Sequence, residues 1–109
     1  MELPSTIKFA DEKIRDSFEQ LEKEDPLLYK TLSHAFLSIQ RNAFCSIQIP
    51  KNLIPKEYTQ KYGVTNLWKY DLPKGWRLLY SIAREEVIVV SIILEWMTHK
   101  EYERRFHYQ

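Results

Sequence analysis

Four side chains in the C-terminal part of the chain carry groups that could act together: Lys69, Arg77, His99 and Tyr102. Histidine titrates near neutral pH and suits either proton role. A guanidinium grips phosphate oxygens in bidentate fashion. An ammonium neutralises phosphate or lowers the pKa of a neighbour, and a phenol donates a hydrogen bond or stacks on a base. Cleavage of RNA by its own 2′-hydroxyl demands such parts: a base for the hydroxyl proton, cations for the charge on the phosphorane, an acid for the leaving 5′-oxygen. Each residue also has a structural reading. A mid-strand arginine commonly pairs with a cross-strand acid. A histidine in a first helical turn is more often structural than catalytic, and a tyrosine can sit in the core with its hydroxyl bonded.

The elements that must position these groups lie between Asn66 and Phe106, which reads as three strands of an antiparallel meander followed by a short helix. Leu67 to Tyr70 is a first strand, and Leu72-Pro73-Lys74-Gly75 has turn chemistry, with proline fixing φ and glycine accepting a positive one. Trp76 to Ile82 alternates: Trp76, Leu78, Tyr80 and Ile82 share one face, Arg77, Leu79 and Ser81 the other. Ala83 to Glu86 reads as a polar break, and Val87 to Leu94 as a strand apolar on both faces, as a central strand would be. Thr98 and Glu101 make a capping box for a helix from His99 to about Phe106, which puts His99, Tyr102 and Phe106 on one face. The tail, His107 to Gln109, is expected to fray. Trp68, Trp76 and Trp96 are read as core or rim residues.

Upstream, Thr6 to Ala10 reads as a short strand. Asp11 caps a helix from Glu12 to about Lys23, with Ile14, Phe18 and Leu21 on one side. Asp25-Pro26 ends that helix and starts another to about Arg41, with Leu28, Leu32, Ala35, Phe36 and Ile39 as its stripe. This helical hairpin needs an apolar face to cover, and the meander offers one. His34 falls on the polar side. Cys45 to Ile49 is an extended edge between breaks, and Lys56 to Tyr62 a turn or two of helix ended by Gly63. With Lys51, Lys56 and Lys61 among Tyr58 and Tyr62, this stretch is either a basic, aromatic flap for phosphates and bases or a connector with solvated lysines.

Composition bounds the rest. The 109 residues suit one domain of α+β class, a small mainly antiparallel sheet with the helical hairpin on one face. Hydrophobics at 44% and only two glycines argue against disorder and against a phosphate-cradling glycine loop. A lone cysteine, Cys45, excludes an internal disulfide or a multi-cysteine zinc site and fits a reducing, cytoplasmic setting. No secretory leader or membrane span is read, and no cofactor or metal is required by any motif. The net charge of +1 hides an asymmetry. Residues 1–25 hold eight acids against four bases, and residues 26–109 twelve bases against seven acids. The positive potential therefore lies with the part of the chain that follows residue 25.

Gly75-Trp76-Arg77-Leu78-Leu79-Tyr80 resembles the G-[YW]-R-[LI]-x-Y strand of the RelE/ParE superfamily of small toxins. Thr98-His99-Lys100-Glu101-Tyr102 is similar to the T-H-x-x-Y ending of its HigB-like members, and residues 66–73, NLWKYDLP, to a further subgroup. The order of strand, helix pair and meander fits the same architecture. The resemblance implies a toxin of a toxin–antitoxin pair, a metal-independent mRNA endonuclease working at the ribosome. Arg77 would bind the scissile phosphate, with His99 and Tyr102 as acid and base candidates; Lys69, Lys61 and Lys56 are the RNA-binding candidates. The chain departs from RelE itself in having no second arginine among Leu94 to Met97. A cognate antitoxin is the implied protein partner. The ParE branch supplies the alternative, a non-catalytic protein-binding module directed at its antitoxin or a gyrase-type target.

Overall fold

The computed structural model of the protein describes residues 2–106, so the expected fraying of His107, Tyr108 and Gln109 lies outside the described residues. The elements run β1 (Thr6–Phe9), α1 (Glu12–Glu24), α2 (Pro26–Arg41), β2 (Ile47–Gln48), α3 (Lys56–Tyr62), β3 (Trp68–Asp71), β4 (Arg77–Glu85), β5 (Ile88–Met97) and α4 (His99–Arg105). The fold is α+β.

Local chemistry sets the helix limits. Asp11 accepts from the Ile14 N–H and Asp25 from the Leu28 N–H, each satisfying one of the donors a helix start leaves open. Pro26 follows at a position where its missing N–H costs nothing. Thr98 caps α4 through the Glu101 N–H, and Gly63 ends α3 in the left-handed conformation at φ 67°. Caps of this kind are worth about 1 kcal/mol each.

The strands join in the order β1-β5-β4-β3-β2. All neighbours are antiparallel except β1, which lies parallel to β5 with Ile7 opposite Ser91. The α1–α2 hairpin covers one face. There Leu28, Leu32, Phe36 and Ile39 meet Trp68, Leu78, Tyr80 and Ile93, with Phe9, Phe18 and Trp96 packed alongside. The rings of Phe18 and Phe36 lie 5.0 Å apart, and that of Tyr29 stacks on Phe18 at 4.7 Å. His34 is exposed, as its place on the polar side of α2 required.

The opposite face carries a second core, which a strand apolar on both faces required but for which the sequence pattern named no covering element. Tyr58, Leu67, Leu79, Leu94, Met97 and Phe106 pack together there, covered by α3 and α4. Tyr58 is only 1% exposed, which removes it from any base-stacking flap: residues 56–62 are a covering helix of the core. Its hydroxyl is pushed far above its ordinary range by burial first and by the Glu95 carboxylate second. Tyr80, on the other face, is buried likewise. Its hydroxyl donates to the Ala43 carbonyl at 2.7 Å and pairs with Ser46, pinning the segment after α2.

Two expectations about β4 and β5 need correction. Ala83 to Glu85 is not a break but the end of β4, with Ala83 opposite Val90 and Glu85 opposite Ile88. The reversal takes only Glu86 and Val87, Glu86 adopting φ 56°. Exposed polar side chains do not prevent pairing at a hairpin's end, because the backbone hydrogen bonds there ask nothing of the core. Val87 accordingly lies at the turn, 86% exposed, and not in the strand. At the other end β5 runs on to Met97, past the expected limit at Leu94. A bulge intervenes, since Tyr80 faces Ile93 while Leu79 faces Glu95, leaving Leu94 as the extra residue. It puts Ile93 and Trp96 on the α1–α2 face and Leu94 and Met97 on the other. No helix among the described residues is long and apolar enough to cross a membrane.

Candidate functional site

The site lies where β3, β4 and β5 end together, on the face covered by α3 and α4. Arg77 opens β4, with Asp71 of β3 on one side and Met97 of β5 on the other. Thr98 caps α4 one residue later, so His99 emerges beside Arg77. The turn of residues 72–76 brings the backbone close: Leu72 N–H donates to the Trp76 carbonyl at 2.8 Å. Lys74 and Gly75 both take positive φ, 62° and 81°. Proline and glycine shape this turn as expected, while Lys74 adopts a conformation that side chains other than glycine find costly.

Arg77 is the centre. Its side chain is 15% exposed, with Nε 3.1 Å from Asp71 Oδ1 and Nη2 3.0 Å from His99 Nδ1. Nη1 donates to the Trp76 carbonyl at 3.3 Å. The Nε contact is an ion pair only; the buried N–H makes no hydrogen bond. Lys69, two residues before Asp71 on the same strand face, sets its ammonium 3.1 Å and 3.3 Å from the two Asp71 oxygens. Tyr102 lies beneath both cations, its ring centre 5.5 Å from Lys69 Nζ and 5.7 Å from Arg77 Cζ. That ring also stacks on Phe106 at 4.4 Å, which ties the site to the second core.

The partners of His99 fix its tautomer. A guanidinium can only donate, so Nδ1 accepts from Arg77 and Nε2 carries the hydrogen. Nε2 then lies 3.2 Å from Glu103 Oε2, one helical turn further on. The ring is thus held between a cation on its Nδ1 side and a carboxylate on its Nε2 side.

Of the residues singled out by type and spacing, the structure brings Lys69, Arg77, His99 and Tyr102 into one cluster. Lys56 and Lys61 are exposed on α3 and contribute to none of the contacts just described. Lys61 instead borders a groove of about 420 Å³ beside β1, with Lys8 and Asp11. Two members of the cluster were missed. Asp71 was legible in principle, since Lys69 and Asp71 alternate onto one strand face and the turn at Pro73-Lys74-Gly75 sets Asp71 opposite Arg77. Glu103 was legible from its i,i+4 spacing to His99.

A second charged group anchors α4. Arg105 Nη1 donates to Glu95 Oε2 at 2.8 Å and to the Tyr58 hydroxyl at 3.2 Å, and lies 3.4 Å from Glu57. Desolvation works against its charge, but Tyr58 and Glu95 outweigh it and raise the guanidinium's pKa. Among the described residues no group of three or more His, Cys, Asp and Glu is placed to hold a metal ion.

Fold and site therefore define an α+β protein with a histidine-bearing cluster of paired charges at the end of a five-stranded sheet. No family model, no curated protein and no solved structure matches the chain.

Proposed function

We propose that the protein binds RNA and cleaves it with the Arg77 cluster, as a RelE-like toxin acting on mRNA at the ribosome. The observation that carries the reading is the 3.0 Å approach of Arg77 Nη2 to His99 Nδ1, with Lys69 and Tyr102 on the same surface. A phosphodiester drawn to Arg77 and Lys69 would compete for the guanidinium and release the Nδ1 lone pair. That nitrogen would then stand beside the bound phosphate, positioned to take the 2′-hydroxyl proton. The Tyr102 hydroxyl is the candidate donor to the leaving 5′-oxygen. The cations offset charge that builds on the phosphorane. In this reading the protein works in the cytoplasm, and a cognate antitoxin holds it inactive by covering the cluster.

The test is induced expression of wild type beside Arg77→Ala, following growth and mapping new 5′ ends in cellular mRNA. Growth arrest with new ends in the wild type, both lost in a soluble Arg77→Ala protein, is the expected result. No arrest from well-expressed, soluble wild type would sink the toxin reading.

A second reading, a non-catalytic module that docks on a protein such as an antitoxin or a gyrase-type target, draws on a different surface. The short edge strand β2 exposes Ile47 at 53%, and Phe44 just before it at 43%. Arrest without new RNA ends, unaffected by Arg77→Ala, would favour it.

A further inference from the structure

We infer that Asp71 is a built-in counter-ion of the cationic cluster, occupying with its own carboxylate the place of a phosphate oxygen and setting how weakly the site holds its ligand. The inference rests on the reading of Arg77 and Lys69 as a phosphate site and deepens it. One oxygen, Asp71 Oδ1, lies 3.1 Å from Lys69 Nζ and also 3.1 Å from Arg77 Nε. A non-bridging phosphate oxygen recruiting the same two cations would take a similar position. The two cations are largely covered, at 20% and 15% exposure, whereas Asp71 is 47% exposed. The carboxylate therefore sits on the solvent side of a partly desolvated pair of positive charges, where an entering anion must meet it.

The pairing is imperfect in a way that favours replacement over permanence. The Arg77 Nε–H is buried and unbonded although Asp71 stands 3.1 Å away. A carboxylate there purely to satisfy Arg77 would accept along the N–H direction, and this one is instead shared with Lys69. Asp71 does two things at once. It keeps two like charges together, whose mutual repulsion would otherwise splay them. It also opposes a second anion through its own charge. The ligand class is a phosphodiester or a free phosphate, held by contacts that compete with an internal carboxylate. Fast release is the consequence: part of the binding free energy goes into displacing or accommodating Asp71.

The experiment titrates wild type, Asp71→Asn and Asp71→Ser with inorganic phosphate, reading the His99 imidazole resonances by NMR. Glu86→Gln serves as the control, because it removes one negative charge at the β4–β5 turn and leaves the cluster alone. Asp71→Asn is expected to bind phosphate about three- to tenfold more tightly than wild type, Asp71→Ser to follow it, and Glu86→Gln to match wild type. Adding Arg77→Ala to Asp71→Asn should cancel the gain. Equal or weaker binding by both Asp71 variants, or an equal gain in Glu86→Gln, would overturn the inference. A parallel titration with a short single-stranded oligoribonucleotide separates the two levels. Tighter phosphate binding without oligonucleotide binding by any variant supports the counter-ion role and removes the RNA reading.

Discussion

Gly75 lies against His99 so closely that a β-carbon built on the glycine would stand 3.2 Å from His99 Cβ. The turn that starts β4 and the helix that follows β5 are thus in backbone-to-side-chain contact, and this contact sets the His99 ring next to Arg77. Gly75 also has φ 81°, a conformation side chains adopt only with strain. Gly75→Ala is therefore expected to lower stability by about 1 kcal/mol and to displace His99 slightly, weakening its contact with Arg77. Thermal unfolding checks the first effect, and the proposed RNA cleavage the second. A variant as stable and as active as wild type would show that the close approach has no consequence.

His99 is expected to be an Nε2–H tautomer whenever neutral, because Arg77 donates to Nδ1 and the Glu103 carboxylate stands 3.2 Å from Nε2. Heteronuclear NMR of the imidazole nitrogens reads this directly. Glu103→Ala should mix the tautomers and, if the proposed cleavage holds, cut it about tenfold, while Glu103→Gln, which keeps an accepting oxygen, should largely restore both. A dominant Nδ1–H form in the wild type would contradict the assigned geometry.

Arg105 touches neither Arg77 nor His99 in the contacts described, yet it fastens the helix that carries His99. Arg105→Met should leave Glu95 and the Tyr58 hydroxyl short of a partner and cost roughly 2 kcal/mol. Amide exchange in α4 should accelerate, and the proposed cleavage should fall through misplacement of His99 and Tyr102. Unchanged exchange would show that Phe106 and the core hold α4 by themselves.

Alkaline pH should destabilise the fold through Tyr58 and Tyr80. Burial raises both hydroxyls above their ordinary value of 10.0. The folded protein then keeps protons that the unfolded chain releases, so stability is intact below pH 10 and falls as pH rises beyond it. The slope should approach about 1.4 kcal/mol per pH unit for each tyrosine. Denaturant unfolding from pH 9 to pH 11, compared with Tyr58→Phe and Tyr80→Phe, measures it (each variant should flatten the slope). No difference in slope would place the alkaline loss elsewhere.

The candidate site was half legible in the sequence. Arg77, His99, Tyr102 and Lys69 stand out by type, and the capping box at Thr98 places His99 at a helix start. Their counter-ions do not: Asp71 matters because a particular turn sets it opposite Arg77, and Glu103 because His99 turns its Nε2 that way. Of the basic, aromatic stretch 51–62, burial removes Tyr58, which is core, while Lys56 and Lys61 stay exposed on its helix.

What the sequence by itself determined is the local structure: the caps at Asp11, Asp25 and Thr98, the stripes of α1 and α2, the turn at Pro73-Lys74-Gly75 and the end of α3 at Gly63. These follow from interactions among residues a few positions apart, whose free energies differ little between the isolated segment and the folded protein. Only the tertiary structure decided that Thr6 of β1 pairs beside Val90 of β5, that the sheet is covered on both faces, and that a bulge at Leu94 re-aims Glu95, Trp96 and Met97. It also decided that Arg77 shares itself between Asp71 and His99. Those outcomes depend on which distant surfaces compete best for the same apolar area and the same charges, and that competition is resolved only when the whole chain packs.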